Sequence, residues 1–141
     1  MPKEGCEKLK VFKEVLIIII IIVSVIGFNF LIQNYLESSS EEIIGKLEET
    51  SNKLMETREN VDYEKITKDV SELEAKWYEM EKIWMLILLH SDLDMIDRTF
   101  KNLFSYIDTK DFEGTYRSVK ELKFLIEYIA EKDAFTLKNI F

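Results

Sequence analysis

The residues with the clearest chemical potential lie in one short stretch, where the chain's only histidine is followed by a serine and three aspartates. His90 and Asp94 could share a metal ion, but a metal site needs three or four ligands and the sequence holds no second histidine. A hydrolytic Ser91–His90 pair would place nucleophile and base side by side in the chain, a poor geometry for a hydrogen bond between them. We therefore expect a structural role, in which helix dipoles stabilise His90 and the acidic residues. A pH-sensitive or ion-binding role for His90, Asp94 and Asp97 is the alternative.

Two tryptophans, Trp77 and Trp84, stand seven residues apart just before this stretch. Their indoles could line a ligand pocket or stack on a sugar, although aromatic residues at helical spacing more often belong to a core. The sequence contains no phosphate-binding loop, nucleotide fingerprint or calcium loop, so it predicts no cofactor and favours a protein without enzymatic activity. An enzyme of cell-wall material with Asp94 or Asp97 as its acid would need a second carboxylate in an open cleft.

These side chains must be positioned by helices, because the chain contains only one proline and four glycines. The clearest helix is predicted from about Asp62 to His90, where apolar residues spaced by three and four form a heptad seam. Its seam residues are Ile66, Val70, Leu73, Trp77, Met80, Trp84 and Ile87. The stretch Ile83 to Leu89 is apolar on nearly all sides, so we expect it to be central in the fold or covered by the membrane or a partner.

Three other amphipathic segments complete the prediction. One runs from about residue 40 to 57, either after a capping box at Ser39–Glu42 or unbroken from the segment before it. Another begins at a Ser91 cap, and the last follows the turn 108–110, ends at 131–133 and leaves an apolar tail, 134–141, that packs back. Their inward residues are Ile43, Ile44, Leu47 and Leu54; Leu93, Ile96, Phe100, Leu103, Phe104 and Ile107; and Phe112, Tyr116, Val119, Leu122, Ile126 and Ile129.

The fold class predicted from these segments is all-α: one N-terminal transmembrane helix, then an antiparallel four-helix bundle of two helical hairpins with a short C-terminal helical tail. A shift of 49 residues places Asp62–Glu64 on Asp111–Glu113 and Val70 on Val119. Two related hairpins would produce this echo, and so would chance similarity between amphipathic helices.

The predicted transmembrane helix is an uncharged run at residues 15–32. Its 18 residues would rise about 27 Å as a helix, close to the ~30 Å hydrocarbon core of a bilayer. The run is longer than the apolar part of a signal peptide and has no small-residue cleavage site after it, so we expect an uncleaved anchor. Near its end, Asn29 either reaches the lipid headgroups or forms an interhelical hydrogen bond. The anchor's most apolar residues are Ile17, Ile18, Ile19, Ile20, Ile21 and Ile22.

Charge gives the anchor a direction. Residues 1–14 carry four Lys against three Glu, a balance of +1, whereas the rest of the chain carries 15 basic and 24 acidic residues, a balance of −9. Since positive flanks stay inside, we expect a cytoplasmic segment 1–14 and an extracytoplasmic bundle domain 37–141 in the cell membrane. The acidic domain argues against a nucleic-acid partner.

Several segments resemble a known family over essentially the whole chain. They are Trp77 and Trp84, the segment Leu86–Asp97, the segment Glu121–Leu125 and the ending Leu137–Ile140. This pattern resembles the bacterial domain of unknown function 4363 (DUF4363). The resemblance implies a small single-pass membrane protein of clostridia and related Gram-positive bacteria, with no assigned catalytic residue. It also implies a polytopic membrane protein as a partner.

The function expected from these features is that of a non-enzymatic, membrane-anchored interaction module, an accessory or regulatory subunit of a membrane protein complex. Its partner would be a polytopic membrane protein or a second copy of the chain. The candidate interaction surface comprises Trp77, Trp84, His90, Asp94 and Asp97. The alternative is an extracytoplasmic ligand- or ion-sensing bundle, which would signal through a membrane partner because 14 cytoplasmic residues are too few for an output domain.

Overall fold

The computed structural model describes the backbone of residues 3–86 and 88–138 and the side chains of residues 8–86 and 88–132. Within these ranges it contains four helices and no strand. They are α1 (Lys3–Glu56), α2 (Tyr63–Trp84), α3 (His90–Asp108) and α4 (Phe112–Lys138). The all-α prediction is confirmed. The chain divides into two compact units, Met1–Tyr35 and Leu36–Phe141.

The first unit is the N-terminal part of α1. This helix is long and apolar enough to cross a membrane, two properties that a signal sequence shares. Every side chain from residue 8 to residue 28 is exposed, and the six isoleucines Ile17–Ile22 each expose between 51% and 56% of their surface. Asn29 is half-buried. A helix that is apolar on all faces and covered by no described residue is compatible with a membrane anchor.

The second unit is a closed four-helix bundle. Each helix runs antiparallel to the next one in the chain, and α4 closes the ring against α1. Side-chain contacts define this order. α1 contacts α2 through Ser39–Trp84 and Lys53–Asp69, and α2 contacts α3 through Trp77–Asp97. α3 contacts α4 through Asp92–Lys132, and α4 contacts α1 and the turn after it through Glu48–Lys123 and Arg58–Glu113. The up-down-up-down order confirms the predicted antiparallel bundle.

The core of this bundle is formed by the predicted seams. Buried apolar residues recur at three- and four-residue spacing on all four helices, as knobs-into-holes packing requires. Ile44, Phe104, Phe112 and Tyr116 were expected to face inward but are only half-buried, because they lie at the edges of their apolar faces. Small polar residues also enter the core. Four of them donate their hydroxyls to carbonyls three or four residues earlier: Ser40, Thr50, Thr99 and Thr115.

Two helix starts differ from the capping predictions. The capping box at Ser39–Glu42 is wrong, and the unbroken alternative is observed: Ser39 and Ser40 donate to the carbonyls of Leu36 and Glu37 (3.2 and 2.8 Å) within α1. Ser91 does not cap α3 either, since α3 already begins at His90 with Leu89 at the N-cap position. Buried Leu88 and Leu93 fix this register, so Ser91 lies inside the first turn.

Two helix ends were also predicted wrongly. The second bundle helix ends at Trp84, six residues before His90, because the chain must reverse between buried Trp84 and buried Leu93. The fourth does not stop at residues 131–133 but continues to Lys138, which makes most of the predicted tail part of α4. The predicted packing of residues 134–141 lies outside the described side chains.

The bundle has two unlike ends. We call one the capped end; it contains the turn 57–62 and the turn 109–111. At both turns an aspartate, Asp62 or Asp111, accepts a hydrogen bond from the backbone N–H three residues later (3.1 and 3.0 Å). Tyr63 joins the two turns by donating to the carbonyl of Lys110 (3.0 Å).

We call the opposite end the apolar end. It contains the α2–α3 turn, residues 85–89, together with residues 36–40 of α1, where the chain enters the bundle. Trp84 joins these two parts by donating from Nε1 to Ser39 Oγ (3.4 Å). No described side chain caps α3 at this end. The candidate site residues lie at this end of the bundle or within about two helical turns of it, toward the capped end.

Candidate functional site at the α2–α3 junction

The two tryptophans form the base of the junction. Both indoles are fully buried and meet edge to face, with ring centroids 5.5 Å apart. Trp77 Nε1 donates to Asp97 Oδ1 (2.7 Å), which ties α2 to α3, while Trp84 ties α2 to α1 through Ser39. Each indole thus contributes a large apolar body and one satisfied polar atom, as expected of core residues. Their predicted part in an interaction surface stays a prediction, and this buried arrangement offers a partner no indole face.

Carboxylates from α2 and α3 lie close together beside the tryptophans. Half-buried Glu81 has a pKa raised above its ordinary value because burial withdraws it from water and because Asp97 and Asp94 repel its charge. Exposed His90 acts weakly in the opposite direction. The structure therefore brings three of the predicted site residues, His90, Asp94 and Asp97, into one electrostatic neighbourhood. Sequence reasoning missed Glu81, although its position one turn after Trp77 on the same helix could have revealed it.

This neighbourhood can hold a proton but is not built as a metal centre. A carboxyl with a raised pKa keeps its proton at a higher pH than an ordinary glutamate. Among the described residues, no group of three or more His, Cys, Asp or Glu side chains is arranged to bind a metal ion. Asp97 is already engaged by Trp77, which leaves His90 and Asp94 as the exposed members of the predicted set.

The α2–α3 turn beside this group is strongly apolar and exposed. Leu86 exposes 82% of its surface and Leu89 exposes 66%, while Met85 is also exposed and Leu88 is buried. A central position in the bundle, one of the two expectations for this stretch, is therefore wrong for Leu86 and Leu89. The other expectation, a cover supplied by the membrane or a partner, stays a prediction.

An aromatic pair on α4 is a second exposed feature. Phe124 and Tyr128 expose 63% and 50% of their surfaces and stack with ring centroids 6.1 Å apart. Lys132 Nζ lies 5.8 Å from the centre of the Tyr128 ring, within the range of a cation–π interaction. The signal that could have revealed this pair is the four-residue spacing of Phe124, Tyr128 and Lys132, which aligns side chains along one helix face.

A small cleft between α1 and α2 bears on the ligand-sensing alternative. Its volume is about 180 Å³, below the roughly 300–1,000 Å³ typical of small-molecule sites. Charged side chains line most of it, and two of them, Lys53 and Asp69, pair with each other across the cleft (3.3 Å). The cleft therefore resembles an ion-paired groove between helices more than an organic ligand pocket.

One comparison with known proteins covers the whole bundle. The family model described as "Domain of unknown function (DUF4363)" matches residues 30–140, which is most of the chain and includes all four bundle helices. Searches of curated proteins and of solved structures give no significant match.

Proposed function

This chain belongs to the DUF4363 family, and we propose that it is a non-enzymatic interaction module, anchored in the cell membrane and acting as an accessory or regulatory subunit of a membrane protein complex. The observation that carries this proposal is the pairing of two unlike units in one chain. One is a helical segment whose side chains from residue 8 to residue 28 are all exposed, and the other is an acidic bundle in which every described buried side-chain nitrogen and oxygen has a hydrogen-bond partner.

The proposed membrane anchor is supported by the large apolar surface that it would expose to water. Residues 17–22 are isoleucines on every face of the helix, so no packing against one side could bury them all, whereas lipid surrounds a helix completely. The lysines that precede the run favour a cytoplasmic N-terminus. In that orientation the bundle lies outside the cell and meets the extracytoplasmic surfaces of other membrane proteins.

The aromatic pair on α4 is the contact we propose for such a partner. Aromatic side chains are enriched at the centres of protein interfaces, because they bury a large area with few rotatable bonds. Phe124 and Tyr128 are already stacked on one another, so little side-chain freedom remains to be lost on binding. The partner is a polytopic membrane protein whose outer surface receives this pair.

Site-specific crosslinking in cells tests the proposal. A photoreactive amino acid is placed at Phe124 or Tyr128 of the full-length chain, and at Tyr78 as a control. Tyr78 is an exposed aromatic residue on α2. We expect crosslinks from positions 124 and 128 to one integral membrane protein, identified by mass spectrometry, and none from position 78.

Mild-detergent extraction supplies the second arm. The wild-type protein should co-purify with the crosslinked protein, and the double change Phe124→Ser, Tyr128→Ser should remove most of that co-purification while Tyr78→Ser leaves it intact. Recovery of the full-length protein alone, with neither a partner nor self-association, would overturn the proposal.

A further inference from the structure

The described residues of the α2–α3 turn expose two leucines, Leu86 and Leu89, next to backbone groups that are hydrogen-bonded. Leu88 is buried and donates its backbone N–H to the carbonyl of Trp84 (2.8 Å), and Asp92 N–H donates to the carbonyl of Leu89 (3.0 Å). These bonds and the buried Leu88 fix the described residues next to Leu89, and Leu86 N–H donates to the carbonyl of Ile83 (3.1 Å). Two large, outward apolar side chains in one turn form a compact apolar tip.

The position of this tip in the bundle is informative. Trp84, the residue just before the turn, contacts Ser39 of α1, and Leu36 is buried in the same part of the bundle. The turn therefore lies at the end where the chain enters from the apolar run. Ser39 lies seven positions after Ile32, the last residue of that run, and seven residues span at most about 25 Å even when fully extended. The opposite end lies a further 17 residues along α1, which is about 26 Å of helix.

We propose that this tip, carried by Leu86 and Leu89, inserts into the surface of the lipid bilayer that holds the anchor. The inference rests on the proposed membrane anchoring, and it adds a second, peripheral membrane contact made by the bundle itself. A lipid surface is the occupant that the chain's connectivity supplies, because the same end of the bundle is tethered to an apolar segment of membrane-spanning length.

The charges around the tip indicate which lipid property drives insertion. Three basic groups lie near the turn or at the same end of the bundle, Lys82, His90 and Lys132, and so do four acidic ones, Glu37, Glu81, Asp92 and Asp94. Asp92 is paired with Lys132 (3.2 Å). Because positive and negative groups are mixed, a strong attraction to anionic headgroups is not expected, and the apolar side chains supply the driving force. Insertion should therefore occur in zwitterionic bilayers and persist at high salt.

Fluorescence quenching in nanodiscs tests the proposal on the full-length chain. The native cysteine is first removed by Cys6→Ser, and single cysteines are introduced by Leu86→Cys, Glu59→Cys or Ile20→Cys and labelled with an environment-sensitive dye. Glu59 is exposed at the capped end and Ile20 lies in the apolar run. The nanodiscs contain phosphatidylcholine, with or without a lipid that carries a quencher near its headgroup, and iodide serves as the aqueous quencher.

We expect the dye at position 86 to be quenched by the quencher lipid and shielded from iodide, with at least a threefold lower iodide quenching constant than the dye at position 59. This contrast should survive 0.5 M salt. The change Leu89→Asp, made in the Leu86→Cys background, should restore iodide access, since a charge on the tip opposes insertion.

Other outcomes separate failure of this inference from failure of the proposed anchoring. If position 20 is shielded from iodide while position 86 is as accessible as position 59, the anchor stands and the inserted tip is overturned. If position 86 is shielded from iodide but untouched by the quencher lipid, another protein copy covers the tip and the lipid assignment is wrong. If position 20 is itself accessible to iodide, the membrane anchoring fails, and the tip proposal fails with it.

Discussion

The two ends of the bundle use opposite chemistry at equivalent positions. At the capped end, α2 and α4 are each preceded by an aspartate whose carboxylate accepts a backbone N–H. Lys110, just after the end of α3, is in the left-handed conformation, and Asp111 N–H bonds back to the carbonyl of Tyr106 (2.9 Å). At the apolar end, the N-cap position of α3 is occupied by Leu89, which has no polar atom in its side chain and shares the turn with exposed Leu86.

This difference shows that the chain supplies polar caps selectively. Asp62 and Asp111 stand 49 residues apart, the interval at which the sequence echoes itself, and both act as N-caps. The third helix start in the bundle, that of α3, departs from this pattern because its N-cap residue is Leu89. A helix start in water gains about 1 kcal/mol from a polar N-cap, so an apolar residue there is more easily explained if the end is not fully exposed to water.

The largest effect should come from the apolar end itself, where a buried and an exposed residue stand two positions apart. Trp84→Ala removes a fully buried indole that packs on Trp77, and we expect it to lower the free energy of unfolding by about 3–5 kcal/mol. Leu86→Ala, at a side chain exposed to 82%, should change it by less than about 0.5 kcal/mol. Urea unfolding of the full-length protein in mild detergent, followed by circular dichroism, measures both; equal losses would show that the tip is packed.

The caps should show effects of opposite sign at the two ends. Asp111→Ala leaves the N–H of Gly114 without its acceptor, and we expect a loss of about 1 kcal/mol, within the roughly 0.5–2 kcal/mol range for such caps. Leu89→Ser supplies a cap where none of the described side chains provides one, and should raise stability by up to about 1 kcal/mol in the same unfolding measurement. A loss on Leu89→Ser as large as that on Asp111→Ala would remove the contrast between the ends.

The core of this bundle was predictable from sequence because heptad spacing depends only on the chain itself. All six described seam residues of α2 are buried, from Ile66 to Trp84. Helix ends were less predictable. Ser39 and Ser40 have the residue types of a cap, yet inside a continuous helix their hydroxyls bond to carbonyls one turn back. The apolar sequence after Trp84 contains no residue type that signals the end of α2. The chain reverses direction there because Leu88 and Leu93 are buried.

The candidate site was only partly predictable for a related reason. Its residues come from different helices, and their contacts depend on the register between those helices. Asp97 accepts from Trp77 across 20 residues of sequence, and the raised pKa of Glu81 needs Asp97 and Asp94 to face it from α3. Residue spacing along the sequence placed His90 and Asp94 at the start of one helix. It could not show that both act on Glu81 of the neighbouring α2.

A smaller effect is expected at Lys110, the one described non-glycine residue with a positive φ (54°). The left-handed conformation is unfavourable for a residue with a Cβ, and glycine adopts it readily, so Lys110→Gly should raise the free energy of unfolding by about 0.5–1 kcal/mol. The carbonyl that accepts from Tyr63 belongs to the backbone and is kept. Lys101→Gly in the exposed middle of α3 should instead lower it by about 1 kcal/mol. If both substitutions change the free energy of unfolding in the same direction, backbone strain at Lys110 is refuted.

The smallest effect should be a pH dependence at the apolar end. Because the pKa of Glu81 is raised in the folded state, the native protein binds its proton more tightly than the unfolded chain does. Stability therefore falls as the pH rises from the ordinary glutamate range through the folded-state pKa, and that loss is complete above it. Glu81→Gln removes the ionisable group, so the variant should be more stable than the wild type at neutral pH, with an advantage that shrinks on acidification.

The same charge change at exposed Glu59 serves as the control, since it removes one negative charge at the capped end. Thermal unfolding of both variants between pH 4 and pH 8 separates the two sites, and the comparison uses differences from the wild type so that other carboxylates cancel. If Glu59→Gln gives the same pH-dependent gain as Glu81→Gln, the gain reflects the net charge of the acidic bundle. If only Glu81→Gln gives it, the burial of Glu81 and its repulsion by Asp97 and Asp94 are local to the apolar end, which then combines exposed leucines with an unfavourably placed carboxylate.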